Sequence, residues 1–445
     1  MLQSMYSGVS GLRAHQTELD VIGNNIANIN TVGFKAGRAR FAEQFSQLIR
    51  AASPGSGTLG GTNPFQVGMG TGVAAIDNLF SQGALESTGL GTDLAIQGDG
   101  FFILGGGTAA QYTRAGAFTF DAQGRLVDPG SGLVVQGYTA DANGKIAAAT
   151  PLGDLRISTD TTAPAKATTG LVLHGNLNSD TANGYPVTAT ISVFDSLGAK
   201  HTLTLTFKKT TATSTDTPPV TTIVPNEWDV SVTSADGSVN QGTPPVPTGI
   251  CHLKFKTDGT LDMAPSDPPA DSDTKFNPLK LSGLTGASDI DIDFNPPGTG
   301  AVNAFAGLSQ VAEDSSAFVF SQDGYSAGTL SGTSIDKSGN IVGSFSNGVT
   351  RTLGQVALAH FANDSGLTQG AGSVWQESLN SGRAVVGQAG TGSFGTISAG
   401  SLEGSNVDLA QEFTDMIVAQ RGFQANARLI TAGDEMLQDM VNIKR

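Results

Sequence analysis

Apolar side chains recur every seven residues at both ends of the chain. In the first 30 residues the series is Met5, Leu12, Leu19 and Ile26, and Ile22 lies beside the same stripe. A seven-residue repeat predicts an amphipathic helix with a narrow apolar face. Gly8 and His15 interrupt the neighbouring row of this face. Because a narrow stripe is best covered by another helix, the sequence predicts a helical partner for this segment.

The second heptad series lies at the other end of the chain and is longer. Phe413 lies four residues after one of its members and widens the stripe. The series is Leu402, Leu409, Met416, Phe423, Ile430 and Leu437. We therefore predict paired N- and C-terminal helices in a coiled-coil-like arrangement.

Between the ends the hydrophobic period changes to two. Residues 201–207, 228–232 and 290–294 alternate apolar with polar side chains, which predicts half-buried strands. Aspartate followed three residues later by glycine recurs at Asp121, Asp141 and Asp336 and is typical of a turn between strands. The predicted fold class is therefore mainly β with α-helical termini, in which the middle consists of antiparallel hairpins.

Glycine- and proline-rich stretches divide this β region. Such a stretch at 53–64 predicts a connector, and proline-rich loops cluster between about 156 and 311, which indicates an outer β domain inserted into an inner one. The predicted domains are a terminal helical domain at 1–32 and 400–445, a connector at 33–75, an inner β domain at 76–155 and 312–399, and an outer β domain at 156–311.

Composition and charge exclude several classes of function. The net charge is -15, and a chain this acidic lacks the positive surface that nucleic acids require. No stretch approaches the roughly 18 apolar residues that span a bilayer, so we expect no membrane insertion. The N-terminus lacks the basic and apolar regions of a signal peptide, so export would need another route and no cleavage is expected.

Candidate chemical sites are few, and each has a simpler structural interpretation. Cys251 and His252 are adjacent, so on a strand they point to opposite faces. Asp289, Asp291 and Asp293 have the spacing that opens a calcium loop, but the glycine and glutamate that should follow are missing. Residues 68–72 are glycine-rich but lack the third glycine of a dinucleotide loop. We predict no catalytic residues, no metal site and no cofactor.

The polar emphasis of the sequence lies where the first helix ends. Asparagine tolerates left-handed backbone and glycine permits a sharp exit, so a helix stop is one interpretation. Four amides within seven residues exceed what a stop requires, and they can bond to neighbouring helices or subunits. The residues concerned are Asn24, Asn25, Asn28, Asn30, Thr31, Gly33 and Phe34.

Both terminal segments resemble those of the flagellar rod and hook axial proteins. Residues 23–35 (GNNIANINTVGFK) resemble their N-terminal motif, and residues 405–409 (SNVDL) with 416–428 (MIVAQRGFQANAR) resemble their C-terminal motif. Residues 63–68, 94–102 and 339–348 are similar to the inner β domain of this family. The inserted region at 156–311 is longer than the middle of a distal rod subunit and resembles the outer domain of hook subunits.

This resemblance implies a structural subunit that polymerises into a curved tube joining the flagellar rod to the filament. It implies a homopolymer whose subunit interfaces include the stripe residues and the asparagine-rich exit. It also implies export through the flagellar type III apparatus, an extracellular location, and contacts with the distal rod protein, the hook cap and the hook–filament junction proteins. Two alternatives stay open at this point: another flagellar axial subunit such as the distal rod, and a secreted β-rich carbohydrate-binding protein or enzyme.

Overall fold

The computed structural model describes residues 2–55, 60–106, 110–141, 144–147, 151–158, 160–182, 185–213, 221–234, 240–241, 251–262, 279–282, 290–294 and 307–443. Long α-helices stand at both ends of the chain, and strands fill the region between them. The predicted fold class, mainly β with helical termini, is confirmed. The predicted proline-rich loops of the outer domain lie largely outside the described residues.

The chain divides into two compact units. The first comprises 1–159, 332–343 and 350–445, and the second comprises 160–331 and 344–349. The second unit therefore extends beyond residue 311, where the sequence placed the end of the insertion. The strand at Phe318–Gln322 accounts for this difference, since it pairs with Gly170–Asn176 inside the second unit.

The elements of the first unit before the insertion are α1 (Leu2–Ala27), β1 (Gly37–Glu43), β2 (Ser46–Arg50), β3 (Phe65–Gly68), β4 (Thr71–Asn78), β5 (Leu85–Ser87), β6 (Leu94–Gln97), β7 (Phe101–Leu104), β8 (Gln111–Thr113), β9 (Thr119–Phe120), β10 (Leu126–Val127), β11 (Gln136–Thr139) and β12 (Gly153–Asp154). The second unit contributes β13 (Thr162–Ala163), β14 (Gly170–Asn176), β15 (Val187–Phe194), β16 (Lys200–Thr213), β17 (Thr221–Ser234), β18 (Asn240–Gln241), β19 (Cys251–Lys254), β20 (Leu279–Ser282), β21 (Ile290–Asp293), β22 (Leu308–Ser309) and β23 (Phe318–Gln322).

Both units share β24 (Gly328–Ile335) and β25 (Asn340–Phe345). The chain then returns to the first unit with β26 (Thr350–His360), a 3₁₀ turn (Asp364–Gly366), β27 (Thr368–Gln369), β28 (Val374–Gln376), β29 (Val385–Gln388), β30 (Thr396–Ala399), β31 (Ser401–Glu403) and α2 (Leu409–Ile443).

The core of the first unit lies on the sheet that contains β26, β7, β8 and β28. Aromatic rings dominate it: Phe101 and Tyr112 each pack edge-on against Phe361, and Phe80 packs against Trp375. Central strands that are buried on both faces read as continuous apolar runs, and β7 is such a run with all four residues buried. This core anchors the segments that lead to both terminal helices.

The predicted connector forms an antiparallel arm rather than an irregular link. β1 pairs with β4, β2 pairs with β3, and both β1 and β4 contact α1. A bridge joins Ser53 to Thr62 near the glycine- and proline-rich tip. The glycine-rich stretch at 68–72 is the turn between β3 and β4, as its structural interpretation predicted.

Two sheets of the second unit, one with β14 and one with β16, share a single apolar core. Leu203, Leu205 and Phe207 of β16 and Trp228 and Val230 of β17 are fully buried, so the predicted alternating strands are confirmed. β14, however, pairs in parallel with β21 and β22, which hairpins alone do not predict. More than 100 residues separate β14 from these partners, and a parallel pair needs such a long connection.

The aspartate–glycine turns have the predicted geometry. The Asp121 carboxylate accepts bonds from the backbone N–H groups of Gln123 and Arg125, and Asp336 accepts them from Ser338 and Asn340. Gly124 and Gly339 have φ of 75° and 76°, which favours glycine. The side chain therefore fixes each turn, and the glycine permits it.

Candidate functional site: the paired terminal helices

The helices α1 and α2 pair in antiparallel orientation within one chain. Met5 lies against Gly433, Gly11 against Asn426 and His15 against Gly422, and the Asn25 amide donates a 2.9 Å bond to Glu412. The two residue numbers of each pair sum to about the same value, as an antiparallel register requires. Small residues occupy the crossing: a Cβ built on Gly11 would lie 2.6 Å from the Asn426 side chain. The backbones therefore approach closely.

The predicted stripe of α1 flanks this contact instead of filling it. Met5, Leu12, Leu19 and Ile26 are half-buried. Gly8, which interrupts the predicted seam, lies in the contact, where a built Cβ would be 3.0 Å from Leu429. Large apolar residues were the predicted contact surface, whereas the helices meet through small ones.

The predicted stripe of α2 drifts across the contact face. An α-helix has 3.6 residues per turn, so residues spaced seven apart move around the helix axis by about 20° per repeat. Leu409 and Phe423 are 39% and 38% exposed, whereas Met416, Ile430 and Leu437 are half-buried beside the seam. The centre of the seam is instead Ala419, fully buried, with Gly422 and Gly433.

Leu402 is a correction to the predicted α2 stripe. It belongs to β31 and pairs with Glu86 of β5, so it is not part of the helix. The helix begins after Asp408, whose carboxylate accepts a 2.8 Å bond from the N–H of Ala410, as N-cap aspartates do. Leu402 fits the seven-residue spacing only by coincidence. Gly404 and the N-cap at Asp408 lie between it and the helix.

Phe413 and Ile417 lie one helical turn apart on α2, away from the seam residues Ala419 and Gly422, and they are 51% and 58% exposed. This pair is defined here as the outer face, and no residue in the described part of the chain covers it. Other exposed apolar side chains lie elsewhere around the helix: Val418 at 61%, Met436 at 52%, Met440 at 55% and Val441 at 69%. Exposed apolar surface of this kind is a candidate interaction site.

The asparagine-rich exit of α1 acts mostly inside the chain, which corrects part of the predicted subunit interface. Ile22, Asn25 and Phe34 are 5%, 1% and 4% exposed, so they are not available to a second subunit. The Asn25 side chain exchanges bonds of 2.8 and 2.9 Å with the backbone of Gly37. Gly33 is also buried, with φ of 67° and a built Cβ 2.5 Å from the Ala115 nitrogen.

The remaining amides of the exit form a local turn. Asn28 donates to the carbonyl and side-chain oxygens of Asn24, and Thr31 donates to the Asn28 side chain. Asn30 is exposed. These bonds end the helix, and Asn24 and Asn30 stay at the surface.

A buried ion-pair network beside the helix ends was not anticipated from the sequence. The Lys35 ammonium lies 2.6 Å from Glu403 Oε1, and both side chains are fully buried. Glu403 Oε1 also accepts a bond from the N–H of Gly83, and Lys35 donates to the Ser81 carbonyl. The Arg114 guanidinium lies 3.5 Å from Glu403 Oε2. The sequence offered one signal for this network, the lysine of the GFK motif at 33–35. A lysine between buried residues needs an anion to pair with.

Burial shifts the pKa values of this network. Desolvation lowers the pKa of Lys35, and the Glu403 charge opposes this shift. Desolvation likewise lowers the pKa of Arg114, again against the influence of Glu403. One carboxylate thus serves two buried cations. At the helix pair, burial raises the pKa of Glu412 although the Asn25 bond acts in the opposite direction.

The other candidate sites from the sequence lie partly outside the described residues. Asp289 and the side chains of Cys251, His252 and Asp291 belong to this group. Among the described residues, no cluster of three or more His, Cys, Asp or Glu side chains could hold a metal ion. No described helix has the length and apolarity needed to cross a membrane.

Four family models match successive parts of the chain. They are Flagella basal body rod protein at 5–35, Flagellar hook protein FlgE/F/G D1 domain at 95–173, Flagellar basal body protein FlaE D2 domain at 158–325, and Flagellar basal body rod FlgEFG protein C-terminal at 398–443. The class that they define is the rod and hook proteins of the bacterial flagellum.

Full-length relatives narrow this class. The flagellar hook protein FlgE of Borreliella burgdorferi is 39% identical and that of Treponema pallidum 38% identical, each over the whole of both chains. The flagellar basal-body rod protein FlgG of Bacillus subtilis is 30% identical over the whole of both chains. The crystal structure of Helicobacter pylori flagellar hook protein FlgE2 aligns with a TM-score of 0.47 at 16% identity, over 70% of this chain and 98% of that one.

The chain therefore belongs to the flagellar hook protein FlgE family. It is a structural subunit of the hook, a polymeric assembly of the flagellar basal body. The resemblance noted in the sequence is thus confirmed, and the distal rod alternative has less support.

Proposed function

We propose that the chain polymerises into a helical tube through the outer face of α2 and the exposed flanks of α1, and that it acts by assembly rather than by catalysis. The observation that carries this proposal is the uncovered apolar outer face of α2. Of the predicted interface residues, Phe413 lies on this face. Leu409 and Phe423 on α2, and the half-buried Met5, Leu12, Leu19 and Ile26 on α1, flank the seam and keep part of their surface exposed. Asn24, Asn28, Asn30 and Thr31 add polar contacts at its edge.

The energetics favour a contact between subunits. Full burial of one large apolar side chain stabilises an interface by about 1.5–3 kcal/mol. The seam with α1 buries another face of α2, and no residue in the described part of the chain covers the outer face, so it is open to a different molecule. A contact between two unlike surfaces that does not close into a ring produces a helical filament.

Export and location form the finer part of the proposal. A subunit of an external hook has to leave the cell, so we infer export through the flagellar type III apparatus. At its two ends a hook tube meets other proteins, and we propose the distal rod protein, the hook cap and the hook–filament junction proteins as partners.

The substitution Phe413→Asp tests the assembly interface. It places a carboxylate on the outer face, where we expect the concentration needed for polymerisation to rise at least about tenfold, given the apolar energy lost. Thermal unfolding of the monomer should be unchanged, because the side chain is already half exposed. Sedimentation of polymer and calorimetry of monomer measure the two effects.

Gln411→Asp is the matched control, since it introduces the same charge at an exposed position on another side of the same helix. It should weaken assembly less than Phe413→Asp. If both variants polymerise like the parent, or if Phe413→Asp lowers the melting temperature of the monomer, the outer face is not the subunit contact.

The distal rod remains the second candidate because of the rod relative that matches the whole chain. Electron microscopy of the polymer separates the two: curved tubes favour the hook and straight tubes favour the rod.

A further inference from the structure

Asn347 and Gly348 lie in the turn that joins β25 to β26. The N–H of Gly348 donates a 2.9 Å bond to the carbonyl of Phe345. The N–H of Phe345 donates a second 2.9 Å bond to the carbonyl of Val349. Gly348 has φ of 80°, a value that favours glycine. Backbone bonds therefore close the turn around Asn347.

The side-chain amide of Asn347 is held at both of its polar atoms. Its nitrogen donates a 2.7 Å bond to the carbonyl of Ser326, and its oxygen accepts a 3.2 Å bond from the N–H of Val349. A Cβ built on Gly328 would lie only 2.6 Å from Asn347 Cγ, so the amide also packs closely against β24. Cγ is therefore fixed in one position, and the turn is attached to β24 through this side chain.

An asparagine followed by glycine can lose its side-chain amide without an enzyme. The backbone nitrogen of the glycine gives up its proton and bonds to the asparagine Cγ, the bond from Cγ to the amide nitrogen breaks, and ammonia leaves. Water then opens the resulting cyclic imide to aspartate or isoaspartate. Glycine hinders this attack least, because it has no Cβ and its backbone moves most freely.

The folded turn engages both groups that would react. The proton on the Gly348 nitrogen is bonded to the carbonyl of Phe345, and Asn347 Cγ is fixed through the bond to Ser326. The nitrogen reaches Cγ only after these bonds have broken, so the reaction requires local opening of the turn. After the reaction neither oxygen of the new carboxylate can donate to the Ser326 carbonyl, so the original attachment cannot re-form.

We propose that Asn347 is a latent deamidation site, which the closed turn keeps unreactive and which reacts when the turn detaches from β24. Conversion at Asn347 is an irreversible record of that opening, because the product lacks the donor that held the turn. All of the contacts involved lie within the second unit. The site is a property of the single chain and does not depend on polymerisation.

Incubation of the full-length monomer in mildly alkaline buffer tests the site. Peptide mass spectrometry measures the fraction of Asn347 converted to aspartate or isoaspartate, in native buffer and in guanidinium chloride. Asn143 and Asn183, which are also followed by glycine, give the rate of an unprotected pair in the denaturant. We expect Asn347 to react at least about tenfold more slowly in native buffer, because the reaction waits for local opening. Equal rates in the two solvents would overturn the proposal.

A pair of serine substitutions tests whether attachment to β24 controls the reaction. The Ser346 hydroxyl accepts a 3.0 Å bond from the N–H of Thr329, next to Asn347. The Ser331 hydroxyl donates a 2.8 Å bond to the Ser344 carbonyl, farther along the same two strands. In native buffer Ser346→Ala should speed the conversion of Asn347 about fivefold, the effect of one lost hydrogen bond. Ser331→Ala is the matched control and should leave the rate unchanged. If Ser346→Ala reacts at the rate of the parent, or if both variants react equally faster, opening of this turn does not control the site.

Discussion

Asp323 illustrates how single polar side chains hold the second unit together. Its carboxylate accepts bonds of 2.7–2.9 Å from the hydroxyl and N–H of Thr169 and from the N–H of Gly170, and Lys166 lies 3.0 Å away. Burial acts to raise the pKa of Asp323, but these donors together lower it well below its ordinary value. The group therefore stabilises the fold in its charged form.

We predict that Asp323→Asn destabilises the second unit by about 1–2 kcal/mol at pH 7, since charge-assisted bonds are lost at a partly exposed site. A lowered folded-state pKa gives a stabilisation that is complete above the unfolded value, about 3.9, and is lost as the pH falls below it. The difference between parent and variant should shrink between pH 5 and pH 2.

Urea unfolding followed by the fluorescence of Trp228, which is buried in the second unit, measures this difference. Trp375→Phe in both proteins removes the other tryptophan signal. Asp180→Asn, at an exposed carboxylate of the same unit, should change little. A difference that is constant with pH would contradict the assigned role.

At this scale the sequence predicts what is local. The aspartate–glycine turns follow from four consecutive residues, so their bonds could be anticipated. The pairing of Lys35 with Glu403 could not, because the two residues are distant in sequence and no local pattern links them.

Among the elements, the helix pair shows how glycine decides a contact. Gly8 faces α2, whereas a Cβ built on Gly23 of the same helix would have no described atom within 4 Å other than those of its own stretch of helix. The first position is therefore needed for close approach and the second is not.

The pair of substitutions Gly8→Leu and Gly23→Leu separates packing from helix propensity. Gly8→Leu should overpack the seam and cost about 1–3 kcal/mol, which lowers the helical melting transition of the monomer. Gly23→Leu should stabilise the helix by up to about 1 kcal/mol and raise its melting transition, because leucine favours helix more than glycine does. Circular dichroism at 222 nm measures both. Equal effects would mean that the helices do not meet at Gly8.

The heptad series predicted both helices but not which face they share. Large apolar residues indicate a helix face that is buried against something, but the sequence does not distinguish burial against the partner helix from burial against another subunit. The small residues at the crossing carry no hydrophobic signal, although they determine the contact. The heptad series placed Leu402 in the helix, too early for the start of α2, because periodicity alone does not detect the N-cap at Asp408.

On the scale of the whole molecule, the two ends of the segment 160–331 lie side by side. Thr162 pairs with Thr329, and the Leu330 N–H donates to the Thr161 carbonyl. A short connection can therefore replace the unit.

We predict that a chain in which a Gly/Ser linker replaces 160–331 keeps the first unit folded. The sheet of β26, β7, β8 and β28 loses no strand, so far-ultraviolet circular dichroism should retain strand signal and Trp375 should stay buried. A chain that lacks 156–311 instead retains β23 without its partner β14, and should be less soluble. Loss of all cooperative unfolding in the first variant would contradict the two-unit architecture.

Loops rich in proline and glycine are the local signal from which the sequence predicts an insertion at 156–311. The pairing of β23 with β14 leaves no such signal, because β23 lies beyond the last of these loops and pairs across more than 140 residues. Parallel ladders such as β14 with β21 likewise leave no short-range signal.

The antiparallel helix pair is joined by a hydrogen bond between Asn25 and Glu412 at one end, whereas Met5 and Gly433 meet by packing at the other. When such a pair bends, one helix lies on the longer path, so the two must shear past each other, and the displacement accumulates away from the hydrogen-bonded end. For axes about 8 Å apart, a bend of 0.1 radian, about 6°, shifts them by about 0.8 Å. Interlocked leucines would resist that shift, whereas Gly433 presents no side chain to block it. The pair is thus stiff along its axis and compliant in flexure, with the compliance greatest at the chain's two termini.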